Sequence, residues 1–244
     1  MLKIDNLHVS IEKKLILNGL NLKVAPGELH IVMGANGAGK SSLVNIILGH
    51  PKYQLNSGSM FFNDEDLSNL PTEKRVQKGI FVGFQSPIEI PGLKSKDFLF
   101  SAYVSKYFHR SKEENIRGFE KKLLEAEKIL GGLEFFQNRD VNGGLSGGEK
   151  KRSEILQMIM LDPICVILDE IDSGLDFEGQ KKIASAIQSF MTPLKSIILI
   201  THSLSFIEYF SYDYVHVFSK GQIQKTGNLE LVNIIKEKGF DWLE

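Results

Sequence analysis

The chain has 244 residues, 42% of them hydrophobic and 24% charged, which are ordinary values for a globular protein. Lysine plus arginine (29) nearly balances aspartate plus glutamate (30), so no global basic field points to nucleic acid or a membrane surface. A single cysteine, Cys165, excludes an intramolecular disulfide and any multi-cysteine metal site supplied by this chain alone.

Short β-rich runs open the sequence: LKIDNLHVSI, then LNLKV, then LHIVMG after the turn residues Pro26 and Gly27. A helix is expected over 40–48 with Gly49 as its stop. GIFVGF (79–84) reads as a further buried strand, and from about Ser95 to Leu161 the texture turns helical. EKKLLEAEKIL (120–130) is amphipathic and ends at Gly131 and Gly132. Ser146, followed three places later by Glu149, forms a capping box that starts another helix. Ile155, Leu156, Ile159 and Met160 make its apolar stripe and Pro163 ends it. Lys150, Lys151 and Arg152 place three positive charges on its first turn, where the helix dipole prefers negative ones. The expected explanation is an anion from outside the chain. Strand and helix patterns then alternate. ICVIL (164–168), SIILI (196–200) and YVHVF (214–218) read as strands, QIQKTG as the return of a terminal hairpin, and 229–239 as a closing helix. Alternating βα units at both ends, with helices between, imply an α/β core carrying a helical insertion.

No apolar run approaches the ~20 residues a membrane helix needs. The first ten residues have neither the apolar core of a signal peptide nor the Arg/Ser bias of a transit peptide. The expected location is cytoplasmic, or a stroma-like organelle matrix if a presequence has been removed.

GANGAGKS (34–41) has the spacing G-x-x-x-x-G-K-[ST], with a buried strand before it and a helix after it. Gly34, Ala35, Asn36, Gly37, Ala38 and Gly39 would curl so that successive N–H groups face a phosphate. Lys40 supplies a charge for the terminal phosphates and Ser41 a hydroxyl for Mg²⁺, Ser42 completes the expected nucleotide-binding set, and the helix N-terminus adds its partial positive charge. A nucleoside triphosphate is the expected ligand. ICVILDE (164–170) is an apolar strand running into two acids. Asp169 suits the Mg²⁺ shell, and Glu170 is positioned to act on the attacking water as a general base.

These motifs, together with LSGGE (145–149), SGLD (173–176) and ITH (200–202), stand in the order and at the separations of the ABC ATPase family, which the whole chain resembles. The resemblance implies one domain over 1–244. In it a RecA-like mixed-sheet core (1–85 and 162–244) carries an N-terminal antiparallel β subdomain and an inserted helical subdomain (86–161). It also implies ATP and Mg²⁺ as cofactors. Gln85 would join Mg²⁺ and water to the helical insertion, and His202 would sense the γ-phosphate. Leu145, Ser146, Gly147, Gly148 and Glu149 would meet the ATP of an opposing subunit in an ATP-dependent homodimer, with Asp176 in the loop between subunits. Most members place an aromatic in the first hairpin to stack on adenine. Here that position falls at Ile11, or at His8 if the loop shifts, so adenine selectivity is expected to be weak.

Within the family, FQSPIEIPG (84–92), SGGEKKR with ILQM (155–158), DEIDSGLD (169–176), SYDYVHV with GQIQKTG, and the terminal KGFDWL resemble the SufC branch. Those ATPases serve the SUF iron–sulfur cluster assembly system with the scaffold proteins SufB and SufD. The resemblance implies those partners, with no nucleic acid and no direct membrane insertion. Ile88, Ile90 and Leu93 would then form a docking surface, although these residues equally suit a loop tucked onto the helical insertion. Two alternatives share the site chemistry: the ATP-binding subunit of an ABC transporter, and a nucleotide-gated clamp of the chromosome-maintenance kind. The lack of a long coiled-coil insertion and of net positive charge argues against the clamp.

Overall fold

The computed structural model describes residues 1–133, 136, 138–240 and 242; Asp241 and Leu243 of the terminal KGFDWL segment lie outside the described residues. The chain divides into two compact units. One comprises Met1–Val82, Ile164–Glu170 and Met191–Glu244; the other comprises Gly83–Pro163 and Ile171–Phe190.

The first unit is built on a six-stranded sheet. Its strands are β3 (Leu29–Met33), β6 (Ile80–Gly83), β9 (Cys165–Asp169), β10 (Ser196–Ile200), β11 (Tyr214–Ser219) and β12 (Gln222–Gly227), in the order β12-β11-β3-β10-β9-β6. Every residue of β3, β9 and β10 is buried, which is why these strands read as unbroken apolar runs. β10 pairs in parallel with β3 and β9, and β11 in parallel with β3, while β12 returns antiparallel to β11 as the expected hairpin. A four-stranded antiparallel sheet takes the N-terminal residues, in the order β2 (Lys14–Val24), β1 (Leu2–Ile11), β4 (Gln54–Phe62), β5 (Glu65–Asp66). Glu12 and Lys13, with φ of 47° and 69°, make the left-handed turn that closes its first hairpin. The core of this unit draws on both sheets and on α1 (Lys40–Leu48): Leu2, Leu20, Leu43, Ile47, Phe62, Ile167, Ile198 and Phe218 belong to one cluster. Shorter helices α2 (Thr72–Gln77), α7 (Leu204–Ile207) and α8 (Leu229–Lys238) complete it.

Helices dominate the second unit: α3 (Ser95–Lys106), α4 (Lys112–Leu130), α5 (Gly147–Leu161) and α6 (Phe177–Phe190). α4 and α5 each begin with a reciprocal capping box, Ser111 with Glu114 and Ser146 with Glu149, and end in left-handed residues, Gly131 and Asp162. Phe119 of α4 sits edge-on to Phe100 and Tyr103 of α3, with ring centroids 5.1 and 5.6 Å apart. A short two-stranded sheet joins β7 (Ile90–Lys94) to β8 (Asp140–Val141), pairing residues about fifty positions apart.

Residues 83–85 and 162–163, expected in the core, group with the helical unit, and so, more extensively, does Ile171–Phe190. For this last stretch the reason is α6, whose buried face (Ile183, Ala184, Ala186, Ile187, Phe190) belongs to a helix packed on α4 and α5.

Candidate nucleotide site

Parallel strands β3, β10 and β9 end together: Val32 is in register with Ile200, and Ile200 with Asp169. The residues that follow therefore emerge along one edge of the sheet, at the carboxyl ends of its strands, where open α/β sheets bind ligands. From β3 comes the glycine-rich loop, from β9 Asp169 and Glu170, and from β10 Thr201 and His202.

The loop closes because particular positions lack a side chain. A Cβ on Gly34 would lie 2.1 Å from the carbonyl oxygen of Phe218, so only glycine permits this approach of β3 to β11. Gly37 and Gly39 hold φ of 78° and 107°. Gly39 occupies the N-cap of α1 without a side-chain bond, and no acid stands in the first turn. The opening amides of α1 are thus left without local capping, the arrangement that suits an anion. Lys40 is 6% exposed and donates from Nζ to the carbonyl oxygens of Gly34 and Ala35 at 2.8 and 2.9 Å. Burial lowers its pKa, opposed by the nearby carboxylates of Glu170 and Asp169. Ala35, Asn36, Gly37 and Ser41 are exposed; Ala38, Gly39 and Ser42 are half-buried.

Asp169 is the buried last residue of β9. Glu170 adopts a left-handed conformation, φ 49°, rare for a residue with a long side chain, and its N–H donates to the carbonyl of Ile200 at 2.9 Å. The turn aims its carboxylate at His202, whose Nε2 lies 3.0 Å from Oε1. His202 is set by its own turn: Ser203 donates from N–H to Thr201 Oγ1 at 2.9 Å and caps α7 through Phe206 N–H. Lys40, Asp169, Glu170 and His202 are thereby brought to one sheet edge.

Gln85, Leu145–Glu149 and Asp176 belong to the helical unit. Gln85 follows Phe84, just beyond β6, and its side chain is exposed. At the start of α5 the capping box engages the amides of Ser146 and Glu149, and the amides of Gly147 and Gly148 lie outside it. A cavity of about 400 Å³ is lined by Ser146, Gly148, Glu149, Arg152, Asp176 and Lys182, among others. Leu145 is buried. Asp176 accepts from the N–H of Gly179 at 2.8 Å and so also caps α6. Ile11 ends β1 at the first hairpin, half-buried, and His8 lies within the same strand. Ile88 is 79% exposed and Ile90 40%, so these two are not tucked away.

The cationic first turn of α5 has partners within its own chain, contrary to the expectation of an external anion for all three charges. Lys150 pairs with Glu89 at 2.8 Å, and buried Lys151 donates to the carbonyl oxygens of Phe84 and Gln85. Sequence reasoning also missed Glu154, whose carboxylate accepts from Phe84 N–H at 2.6 Å. The available signal was a lone acid beside the apolar stripe, one turn after Lys151. Cys165 lies in the core of β9, where burial pushes its thiol up to about 11, and no group of three or more His, Cys, Asp or Glu side chains placed to hold a metal occurs among the described residues.

A glycine-lined loop into a bare helix N-terminus, flanked by a buried aspartate and a glutamate–histidine pair on adjacent strand ends, defines a P-loop ATPase cassette. The chain matches the ABC transporter family over residues 17–173 and belongs to it; it is an ABC-type ATPase. Among curated proteins it is 44% identical over 245 residues to the probable ATP-dependent transporter SufC of Escherichia coli, covering all of this chain and 98% of that one. It is 45% identical to the probable ATP-dependent transporter ycf16 of Trieres chinensis, over 100% and 98% of the two chains. Among solved structures, the dimeric ATP-binding cassette MJ0796, in a post-hydrolysis state bound to ADP and Pi, superposes with a TM-score of 0.78 at 22% identity. It covers 94% of this chain and 99% of that one. An ATP-binding subunit of an ABC transporter gives 0.81 at the same identity, over 98% and 94%. These two likenesses show the fold.

Proposed function

We propose that the chain is the ATP-hydrolysing subunit that drives conformational change of a SufB–SufD scaffold during iron–sulfur cluster assembly. The observation that carries this reading is the 44% identity to SufC across the full length, a span that includes the EIPG (89–92) and GFDW (239–242) segments, which ATP chemistry does not require. The exposed Ile88 and Ile90 suit a docking surface next to Gln85 in sequence. No helix among the described residues is long and apolar enough to cross a membrane.

In this reading the loop amides, Lys40 and the α1 N-terminus bind the triphosphate. Glu170 takes the proton of the attacking water, and His202, bonded to it, donates to the γ-phosphate oxygens or holds the carboxylate in place. The first unit's residues fit Mg²⁺: the hydroxyl of Ser41 and the carboxylate of Asp169 are the hard oxygen donors this ion takes, and Gln85 would add its amide oxygen. When bound, the ion neutralises charge that accumulates on the phosphates. Two copies close head to tail, so that Leu145–Glu149 of one copy meets the ATP on the loop of the other, with Asp176 in the loop between subunits. Ile11 offers apolar contact to the base but no ring to stack on it. The whole chain acts as one cassette, with its helical unit as the arm that carries the signature.

A transporter subunit is the second reading, favoured by the relatives' own designation as probable ATP-dependent transporters. Affinity purification of the tagged chain from its own cell separates the two. Recovery of SufB- and SufD-type scaffolds, with ATPase activity raised in the complex, supports the first reading; recovery of an integral membrane permease in their place overturns it.

A further inference from the structure

Beyond β6 the main chain is held by two charged side chains of α5. Glu154 Oε1 accepts from the N–H of Phe84 at 2.6 Å. Lys151 Nζ donates to the carbonyl oxygens of Phe84 at 3.1 Å and Gln85 at 2.8 Å. The two residues lie one helical turn apart, Nζ to Oε2 3.9 Å, and each is 4% exposed. The side chains of Phe84 and Gln85 are themselves exposed. The buried pair therefore grips backbone groups and leaves the Gln85 amide projecting. Burying an ion pair carries a desolvation penalty that apolar residues of equal volume would avoid, so its use here is geometric.

The same helix starts at the Ser146–Glu149 capping box. It carries the signature at its N-terminus and this clamp one to two turns later. Further along the segment, Ile88 O accepts from Asn142 Nδ2 at 2.8 Å and Glu89 pairs with Lys150. Residues 84–89 are thus fastened to residues 142–154 at several points, with Glu154 supplying the charge-assisted bond to a main-chain amide.

We propose that Glu154 is a positioning residue for Gln85: its carboxylate sets the Gly83–Phe84 peptide and holds Lys151 against the Phe84 and Gln85 carbonyls, and so sets the Gln85 amide from the helix that begins at the signature. The proposal rests on the reading of Gln85 given above. Glutamate both accepts from Phe84 N–H and neutralises Lys151. Glutamine does only the first, and alanine does neither.

Amide hydrogen exchange and steady-state ATP hydrolysis on the full chain test it. In Glu154→Ala, exchange at Phe84 rises about tenfold or more, while turnover falls about tenfold and KM for ATP stays within about threefold. Glu154→Gln keeps Phe84 protected and recovers most of the turnover. Combined with Gln85→Ala, Glu154→Ala adds little further loss, because residues that act as a unit are not additive. Multiplied losses in the double variant, or unchanged exchange and turnover in Glu154→Ala, overturn the proposal. A slow Gln85→Ala beside a normal Glu154→Ala overturns it alone; wild-type turnover in Gln85→Ala overturns the reading of Gln85, and the proposal falls with it. Should Glu154→Ala not fold, Glu154→Asp carries the comparison. One methylene shorter, it must lose the Phe84 protection that Glu154→Gln keeps, and equal protection in both overturns the proposal.

Discussion

His202 Nε2 lies 3.0 Å from Glu170 Oε1, and the glutamate reaches it from a left-handed backbone, φ 49°. Each residue comes from the end of a different buried strand, and the N–H of Glu170 is bonded to the carbonyl that ends β10. Backbone strain at this position is tolerated because the sheet register determines it. If the pair acts on the attacking water, His202→Ala lowers turnover by about tenfold to a hundredfold while ATP binding changes little. Steady-state hydrolysis with a separate nucleotide titration checks this; equal losses in turnover and affinity would assign His202 to binding alone.

The loop makes a steric prediction. Gly34→Ala sets a Cβ 2.1 Å from the Phe218 carbonyl oxygen, so β3 and β11 must part. The variant should lose about 1–3 kcal/mol of stability, as overpacked sites do, and bind ATP more weakly. Gly37→Ala, whose Cβ meets nothing within 4 Å, pays only for its left-handed φ of 78°. Denaturant melts of the two variants decide it, and equal stability would contradict the close approach.

Arg75 is 3% exposed and donates to four carbonyl oxygens: Ile46 and Ile47 from Nη1, Leu67 from Nη2 and Leu70 from Nε. It thereby satisfies the C-terminal end of α1, the helix that begins at the phosphate loop. Lysine carries the charge but not the planar fork of donors, so Arg75→Lys should cost about 2–4 kcal/mol through the charge-assisted bonds lost to these carbonyls. Urea denaturation measures this, and a loss below about 0.5 kcal/mol would show the fork to be dispensable.

A buried histidine pair predicts acid sensitivity. Glu28 is a carboxylate at neutral pH, so His30 Nε2 donates to it at 3.0 Å, and His30 Nδ1 accepts from His216 Nε2 at 2.8 Å. His216 Nδ1 in turn accepts from Thr226 Oγ1 at 2.8 Å. Both rings are neutral in this one-way chain; a proton added at His30 Nδ1 would face the His216 Nε2–H donor, whereas one added at His216 Nδ1 would require the Thr226 hydroxyl to turn from donor to acceptor. Burial and then the neighbouring His30 push His216 down to about 3, and burial lowers His30 as well. A histidine depressed in the folded state binds its proton more readily when unfolded. Its stability contribution is therefore complete above the unfolded value near 6.5 and is lost as pH falls toward 3. His216 alone should cost on the order of 2 kcal/mol between pH 6.5 and pH 5. Glu28, Asp213 and Lys23 also act on this network, so the comparison is with His216→Gln. Denaturation at stepped pH should give a shallower slope in that variant; the same slope in both would remove the pair as the source.

Much of this architecture was legible because local signals were complete. SIILI forms β10 over the residues expected, and the helix over 40–48 ends at Gly49, whose φ is 75°. The edge residues Lys40, Asp169, Glu170 and His202 could be found because each follows an apolar strand. Their alignment could not, since the register of Val32, Ile200 and Asp169 depends on pairing between distant segments. β7 and β8 carry no period of their own and exist only through each other. Lys150 and Lys151 show the limit of a local rule. The dipole argument pointed to an outside anion, whereas Glu89 and the Phe84 and Gln85 carbonyls, some sixty residues away, had already engaged both charges.

In the proposed cycle Glu170 activates water in an ATP site completed by a second copy. Glu170→Gln with saturating MgATP, followed by sedimentation and single-turnover hydrolysis, tests both halves of that cycle at once. A stable ATP-bound dimer with turnover reduced about a hundredfold or more is expected. Wild-type turnover by a chain that stays monomeric would contradict it.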